Sequence, residues 1–263
     1  FIDEYTLEAR LGSGGFGVVY AATAADGSPV ALKVLRPELS DDPALRRRLA
    51  REAEALRRVE GDRTAQVLDV VIDDDQTYLV MERLEGVTLD DLVKDEGPLQ
   101  AAPLWSVAEG LIDALGDIHA AGVVHRDLKP SNVIVGPDGV KVLDFGISVI
   151  AEQTSLTQTG AFVGTAAWIS PEQIRDEDVT EATDIFNFGL VMAFAATGRH
   201  PFGTGRNDAL MYRISSEEPD VDDLASPLKE ALSLCLQQEP RNRPSVSDLA
   251  KFLASKGTTE LTT

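Results

Sequence analysis

The sequence predicts an α+β fold of two lobes, a small β-rich lobe followed by a larger, mostly helical one. Short runs of β-branched and aromatic residues fill the first third of the chain, and helical patterns dominate from about residue 89. A chain of 263 residues can bury one large core or two lobes that share a cleft. We expect a single domain over 1–263, with the lobes at 1–84 and 85–263.

The strands of the first lobe are predicted from runs of Val, Leu, Ile and Tyr that turn signals such as Asp26-Gly27-Ser28-Pro29 separate. These runs cover 5–11, 18–22, 30–35, 67–73 and 78–84, and one helix at about 42–60 interrupts them. In the second lobe a short strand pair, 133–135 and 140–143, lies among helical segments. Strands first and helices later favour the α+β class.

The charge balance excludes two classes of partner. The chain has 24 basic and 44 acidic side chains, a formal net charge of −20. Nucleic acid and anionic lipid both require a basic face, so neither is an expected partner. Residues 84–263 carry 13 basic and 28 acidic groups. A well-solvated surface explains this excess, and so does a preference for protein substrates with basic surfaces.

The single cysteine, Cys235, excludes an internal disulfide and a thiolate metal cluster. It lies in an apolar run, which predicts a buried, inert thiol and fits a reducing compartment. No run reaches the ~18 apolar residues of a membrane span. We expect a cytoplasmic location. The chain begins with Phe1 rather than Met, so a cytosolic domain of a longer, membrane-anchored chain is the alternative.

A glycine-rich loop connects the first two predicted strands. Gly12, Gly14 and Gly17 have the spacing G-x-G-x-x-G. A dinucleotide-binding turn of this kind leads into a helix, whereas the residues here, Val18-Val19-Tyr20, continue as a strand. The pattern therefore predicts a flexible hairpin whose backbone amides can close over phosphates, because glycine has no Cβ to block their approach. An ordinary glycine-rich hairpin is the alternative.

A lysine and a glutamate are predicted to pair between a strand and a helix. Lys33 lies in the middle of the strand at 30–35. Glu52 falls in the apolar stripe of the predicted helix, seven residues after Leu45 and four before Leu56. A carboxylate aimed at a core is costly unless it meets a cation. We therefore expect Glu52 to pair with Lys33, although Glu52 could also reach water at the edge of the stripe.

Two further motifs complete a family pattern. The run His125-Arg126-Asp127-Leu128-Lys129-Pro130-Ser131-Asn132 is followed by the strand pair and then by Asp144-Phe145-Gly146. With the glycine loop and the lysine strand, these motifs resemble the eukaryotic-type (Hanks-type) serine/threonine protein kinases, most closely the bacterial members. The resemblance extends from Tyr5 to about Leu253. It implies transfer of the ATP γ-phosphate to Ser or Thr hydroxyls of protein substrates.

The resemblance also implies roles for the charged residues. Lys33 would hold the α- and β-phosphates and Glu52 would brace it. Asp127 would accept or orient the proton of the attacking hydroxyl. Lys129 would neutralise the transferring phosphate, and its presence favours Ser/Thr over Tyr substrates. Magnesium, with manganese as the alternative, would be held through oxygen ligands by two residues, Asn132 and Asp144.

The nucleotide would lie against residues of both lobes. The glycine loop would cover the phosphates, apolar side chains would enclose the adenine, and the backbone of the strand at 78–84 would bond its edge. The residues implied are Leu11, Gly12, Ser13, Gly14, Gly15, Phe16, Gly17, Val19, Ala31, Lys33, Met81, Glu82, Leu84, Ile134 and Asp144. The apolar members of this set are also ordinary candidates for the core.

Regulation by phosphate is a further implication of the family. A phosphorylated hydroxyl of the segment after Asp-Phe-Gly often docks on the arginine that precedes the catalytic aspartate, here Arg126. We therefore expect the chain to phosphorylate itself, in a transient dimer, at hydroxyls of this segment: Thr154, Ser155, Thr157 and Thr159. From Ile147 through Ile174 there is no Lys or Arg, which departs from the family pattern.

Three residues outside the reaction centre are expected to support it. By resemblance, Glu172 pairs with Arg243, and Asp184 anchors the backbone of the catalytic loop. A surface ion pair and a helix cap are the respective alternatives. Ser170 replaces the alanine that usually precedes Pro171-Glu172.

Two other functions compete with the kinase assignment. A nucleotide-binding pseudokinase that acts as a scaffold would have the same fold, but Lys33, Asp127, Asn132 and Asp144 are all present. A small-molecule phosphotransferase of related fold would generally lack Lys129 and the segment that ends at Glu172.

Overall fold

A computed structural model describes residues 2–14, 17–36, 57–59, 61–72, 77–143 and 167–257. Within these ranges two antiparallel sheets precede or interrupt a series of helices. Most of the helix predicted at 42–60 lies outside the described residues. Its predicted end is wrong, because Arg57 and Arg58 form a turn and Val59 packs into the apolar core of the small lobe.

The small lobe is a five-stranded sheet in the order β1-β2-β3-β5-β4. The strands are β1 (Thr6–Gly14), β2 (Gly17–Thr23), β3 (Pro29–Leu35), β4 (Val67–Ile72) and β5 (Thr77–Glu82). All four strand pairs are antiparallel, and each predicted strand is present with shifted ends. β1 continues into the glycine loop, where Gly14 pairs with Gly17.

Alternation along β3 separates two apolar clusters. Ala31 and Leu35 belong to one cluster, which also contains Met81, while Leu32 belongs to the cluster on the opposite face. Because successive side chains of a strand point to opposite faces, Lys33 lies on the face of Ala31 and Leu35. It is 7% exposed, and its backbone pairs with Val19 on one side and Leu79 on the other.

A second, three-stranded sheet begins the large lobe. β6 (Val87–Thr88) pairs with β7 (Val133–Gly136), which pairs with β8 (Gly139–Val142). The strand pair was predicted, but β6 was not. Gly86 makes the pairing possible, since a Cβ at this position would lie 2.5 Å from the carbonyl oxygen of Val135. The φ angle of Gly86, +139°, also favours glycine.

The large lobe packs its helices around one core. The central helix, Glu181–Thr197, is buried on nearly every side, and two neighbouring helices contribute Leu111, Leu115 and Leu232 to the same core. Within the described ranges no helix combines the length and the apolar character needed to cross a bilayer. The helices are α1 (Leu89–Glu96), α2 (Ala101–Ala120), α3 (Pro171–Ile174), α4 (Glu181–Thr197), α5 (Asn207–Ser216), α6 (Leu228–Cys235) and α7 (Val246–Gly257).

Cys235 is fully buried at the end of α6, as predicted. Burial raises the pKa of its thiol to about 12, so the thiolate is negligible at neutral pH. The prediction of an inert structural cysteine agrees with this environment.

Candidate active site

Three predicted site residues form one cluster on the loop after α2. The Lys129 ammonium lies 2.6 Å from Oδ2 of Asp127. Asn132, in the 3₁₀ turn Pro130–Asn132, donates from Nδ2 to the carbonyl oxygen of Asp127 at 2.9 Å and to its Oδ2 at 3.2 Å. The turn forms because Pro130 occupies the first helical position, where its missing N–H costs nothing.

The two oxygens of Asp127 have different environments. Oδ2 receives both Lys129 and Asn132, whereas Oδ1 is buried and has no hydrogen-bond partner among the described residues. The side chain as a whole is 6% exposed. Burying an acceptor without a partner costs free energy, and such an atom is therefore positioned to receive a donor from a bound molecule. A hydroxyl group has the required chemistry.

Helix α4 holds the backbone of this loop through Asp184. The Asp184 carboxylate accepts the N–H of Arg126 at 2.7 Å and the N–H of His125 at 2.8 Å. Arg126 has a φ angle of +69°, a conformation that non-glycine residues rarely adopt. The predicted anchoring role agrees with these contacts. The alternative, a helix cap, does not, because Asp184 lies inside α4 and is fully buried.

His119, in the last turn of α2, also contacts this anchor, and sequence reasoning missed it. Its Nε2 donates to Oδ2 of Asp184 at 2.7 Å. The two residues are 65 positions apart in the sequence, so no local pattern could reveal the contact.

The predicted pair Glu172–Arg243 is present and buried. Arg243 donates to both carboxylate oxygens of Glu172, at 2.7 and 2.9 Å, and Thr183 donates to Oε1 at 2.6 Å. Burial alone would raise the pKa of Glu172, but the hydrogen bonds from Arg243 and Thr183 outweigh it and hold that pKa below its ordinary value. The alternative of a surface pair is excluded, since the two side chains are 0% and 1% exposed.

The guanidinium of Arg243 also lies over an aromatic ring. Its central carbon is 4.8 Å from the centroid of Phe186, where the ring quadrupole attracts a cation. Phe186 of α4 supplies this aromatic face from the buried interior of the large lobe.

The apolar residues predicted around adenine line adjacent strands of the small lobe. Ala31 pairs with Met81, and Val19 pairs with both Gly12 and Lys33. On the large-lobe side, Ile134 of β7 pairs with Thr88 and Lys141, and Leu84 lies between β5 and β6. Leu11 and Ser13 lie on β1, and the side chain of Leu11 is 56% exposed.

A charged contact not predicted from the sequence connects the two lobes at this place. Lys141 of β8 donates to Oε1 of Glu82, the last residue of β5, at 2.6 Å. Because Lys141 is also the strand partner of Ile134, the contact fixes Glu82 next to the predicted floor of the adenine site. Four predicted site residues lie outside the described residues: Gly15, Phe16, Glu52 and Asp144.

The described residues fit a nucleotide and a divalent metal ion. Asn132 uses its amide nitrogen on Asp127, so the amide oxygen is the atom left for a metal. Amide and carboxylate oxygens are the ligands that hard divalent cations prefer. The second observation that fits a substrate at this position is the buried Oδ1 of Asp127, which has no hydrogen-bond partner within the part of the chain that the structure describes.

The whole chain resembles known kinases, and it belongs to the protein kinase domain family, which it matches over residues 5–252. It is 41% identical over 257 residues to the probable serine/threonine-protein kinase PkwA of Thermomonospora curvata, covering 98% of this chain and 35% of that protein. It is 41% identical over 254 residues to the serine/threonine-protein kinase AfsK of Streptomyces coelicolor, covering 96% of this chain and 32% of that protein.

A solved structure supports the fold. The crystal structure of Rad53 1–466 in complex with AMP-PNP superposes with a TM-score of 0.79 at 26% identity, over 95% of this chain and 64% of that one. The chain spans about a third of the length of these two curated relatives. The predicted family, two-lobed fold and serine/threonine protein kinase activity of this domain are confirmed. Use of ATP with a divalent metal ion is typical of that family.

Proposed function

We propose that this domain transfers the γ-phosphate of magnesium-bound ATP to a Ser or Thr hydroxyl that donates to Oδ1 of Asp127. The observation that carries the proposal is the asymmetry of this carboxylate. Lys129 and Asn132 occupy Oδ2, and Oδ1 is buried without a partner among the described residues. An acceptor hydroxyl would satisfy Oδ1 and would be oriented by it.

Asp127 and Lys129 have different proposed roles at the reacting atoms. The hydroxyl oxygen forms a bond to the γ-phosphorus while the bond to the β-phosphate oxygen breaks, and the hydroxyl proton passes to Asp127. The ammonium of Lys129, 2.6 Å from Asp127, would offset the negative charge of the transferring group. Most of the catalysis in such a transfer comes from positioning and charge neutralisation rather than from covalent chemistry.

The metal ion would rest on Asn132 and Asp144. When bound, magnesium neutralises the charge of the phosphate oxygens and draws them into one geometry. The amide oxygen of Asn132 is available because its nitrogen is held by the carbonyl and carboxylate of Asp127. Manganese has similar ligand preferences, and we propose magnesium as the physiological ion.

The small lobe would hold the rest of the nucleotide. The buried Lys33 lies on the same face of β3 as Ala31, which supports contacts of the ammonium with the α- and β-phosphates and of the methyl with adenine. The backbone of Glu82 and Leu84 would bond the adenine edge. The Glu52–Lys33 pair and the roles of Gly15 and Phe16 remain predictions.

Autophosphorylation is a further part of the proposal. Nε of Arg126 is buried and has no hydrogen-bond partner among the described residues. An unpaired buried guanidinium nitrogen supports docking of a phosphate, since Arg binds phosphate oxygens strongly. The proposed acceptors, Thr154, Ser155, Thr157 and Thr159, lie outside the described residues. Transfer between two copies in a transient dimer would deliver the phosphate.

We also propose that residues 1–263 form a single domain whose two lobes meet at residues 84 and 85. We propose the cytoplasm as the place where the domain acts. The boundary is supported by its place between β5, which ends at Glu82, and β6, which begins at Val87. The location is supported by the one free, buried cysteine.

Phosphate transfer and residue choice can be tested together. The domain is incubated with γ-labelled ATP, magnesium and either a basic or an acidic protein substrate, and the products are examined by phosphoamino acid analysis and phosphosite mapping. We expect label on Ser and Thr in the parent domain and in the control Asp138→Asn, which changes an exposed turn residue. The label should disappear in Asp127→Asn. Nucleotide binding without any transfer would instead identify a scaffold, and label on a small metabolite alone would identify a different phosphotransferase.

A further inference from the structure

We propose that Gln173 is a positioning residue for phosphate transfer, which holds the peptide group between Arg126 and Asp127 and thereby orients the Asp127 carboxylate. The proposal rests on the proposed function of Asp127. Gln173 belongs to the four-residue helix α3, far from the catalytic loop in sequence, and no catalytic motif includes it.

The Gln173 amide makes two contacts that fix its orientation. Nε2 donates to the carbonyl oxygen of Arg126 at 3.0 Å, and Oε1 accepts the backbone N–H of Ser170 at 3.0 Å. A flipped amide would bring two oxygens together at Arg126 and two donors together at Ser170. The side chain is half-buried, so water competes only weakly for these bonds.

The carbonyl of Arg126 belongs to the same rigid peptide plane as the N–H of Asp127. On the other side of that plane, the N–H of Asp127 donates to Nδ1 of His125 at 3.2 Å. Rotation of this plane would turn the Cα–Cβ bond of Asp127 and move its Oδ1. Gln173 and His125 therefore restrain the peptide from its two polar ends.

The contact from Gln173 acts on a residue whose backbone conformation is unfavourable. Arg126 adopts a φ angle of +69°, which an L-residue keeps only when its surroundings hold it. Asp184 holds the N–H of Arg126 at 2.7 Å, and Gln173 holds its carbonyl. Removal of either contact allows the residue to relax toward a commoner conformation.

Helix α3 is held in place by an ion pair with a distant part of the chain and by its own N-terminal cap. Glu172, the residue before Gln173, is bound by Arg243 from 71 residues further along the chain. Ser170 caps the helix, and its side chain accepts the N–H of Gln173 at 3.4 Å. Gln173 thus connects a helix that is anchored in the large-lobe core to the peptide that carries the catalytic carboxylate.

A purely structural role, the capping of α3, can be separated from the positioning role by two substitutions. Gln173→Glu keeps an oxygen for the N–H of Ser170, because glutamate is a favoured capping-box residue at this position, but it removes the donor to Arg126. Gln173→Lys keeps a donor for the Arg126 carbonyl and removes the acceptor for Ser170. The capping role predicts damage from the lysine variant, and the positioning role predicts damage from the glutamate variant.

The test compares steady-state kinetics of protein-substrate phosphorylation with thermal stability in both variants. We expect Gln173→Glu to lower kcat about 10–100-fold, since small misplacements of a reacting group have effects of this size, with the KM for ATP and the melting temperature little changed. Gln173→Lys should retain more of kcat than Gln173→Glu despite a lower melting temperature. Gln238→Glu is the matched control, because Gln238 also donates to backbone carbonyls, those of Ile214 and Glu217, away from the catalytic loop.

A double substitution distinguishes failure of this proposal from failure of the proposed function. If Gln173 acts through Asp127, Gln173→Glu should add little to the loss caused by Asp127→Asn. Full activity of Asp127→Asn would overturn the proposed function itself. A large loss in Asp127→Asn with normal kcat in Gln173→Glu, or equal losses in the glutamate and lysine variants, would overturn the role of Gln173 alone.

Discussion

Substitution of Glu172 by glutamine removes one charge from the most deeply buried ion pair described in this protein. Arg243 would then keep its charge in a site that is 0% exposed, without the carboxylate that now accepts two of its hydrogen bonds. Removal of one partner of a buried pair typically costs about 3–5 kcal/mol. We expect Glu172→Gln to lower the free energy of unfolding by an amount in this range.

The predicted loss is large on the scale of the whole domain. Proteins of this size lose about 2–4 °C of melting temperature for each kcal/mol, so the variant should melt roughly 6–20 °C below the parent domain. The matched control is Asp223→Asn, which breaks the pair with Arg199. That pair is 61% and 73% exposed, and exposed pairs contribute about 0–1 kcal/mol. Thermal and urea unfolding of the two variants measure the difference directly.

The pKa of Glu172 determines how the stability difference between the parent domain and Glu172→Gln changes with pH. Arg243 and Thr183 hold the pKa of Glu172 below its ordinary value despite burial. The stability that this group contributes is present above the pKa of the unfolded chain, and it is lost as the pH falls through the lower pKa of the folded protein. The gap between parent and Glu172→Gln should therefore be widest near neutral pH and should close in acid. A gap below about 1 kcal/mol, or one that widens in acid, would refute the reasoning.

Two further substitutions test the catalytic loop and the connection between the lobes. Lys129→Met removes the charge 2.6 Å from Asp127 and should lower kcat by about 10²-fold or more. The affinity for ATP, measured by fluorescence titration, should change little. A loss confined to the KM for ATP would contradict this role. Gly86→Ala should destabilise the domain in a melting experiment by more than Gly97→Ala does. Both glycines have positive φ angles, but a Cβ at Gly86 would meet the carbonyl of Val135 at 2.5 Å whereas the space at Gly97 is open; equal melting temperatures would contradict this steric account.

The strands of the small lobe could be predicted because their runs of β-branched, leucine and tyrosine residues are separated by turn signals. Their ends could not, since pairing rather than propensity sets them. β1 continues through Gly12, a residue that disfavours strands, because its backbone pairs with β2 as far as Gly17. The two-residue strand Val87–Thr88 has no periodicity of its own and exists only through pairing with β7.

In the candidate site, contacts between residues close in sequence could be predicted, and contacts between residues far apart in sequence could not. Asp127, Lys129 and Asn132 lie within six residues, and their motif predicts a cluster that the structure contains. The contacts of His119 with Asp184 and of Gln173 with Arg126 span 65 and 47 residues. Neither side chain belongs to a motif, and only the packing of α2, α3 and α4 around the loop brings these atoms together.

The central claim of this account is that Oδ1 of Asp127 receives the acceptor hydroxyl during phosphate transfer. Its most direct test is the single-turnover rate of phosphate transfer in Asp127→Asn, measured at saturating ATP together with the dissociation constant for ATP, with Asp138→Asn as the control. We predict a rate lower by about 10²–10⁴-fold, an unchanged dissociation constant, and a control that equals the parent. An unchanged transfer rate in Asp127→Asn would contradict the claim.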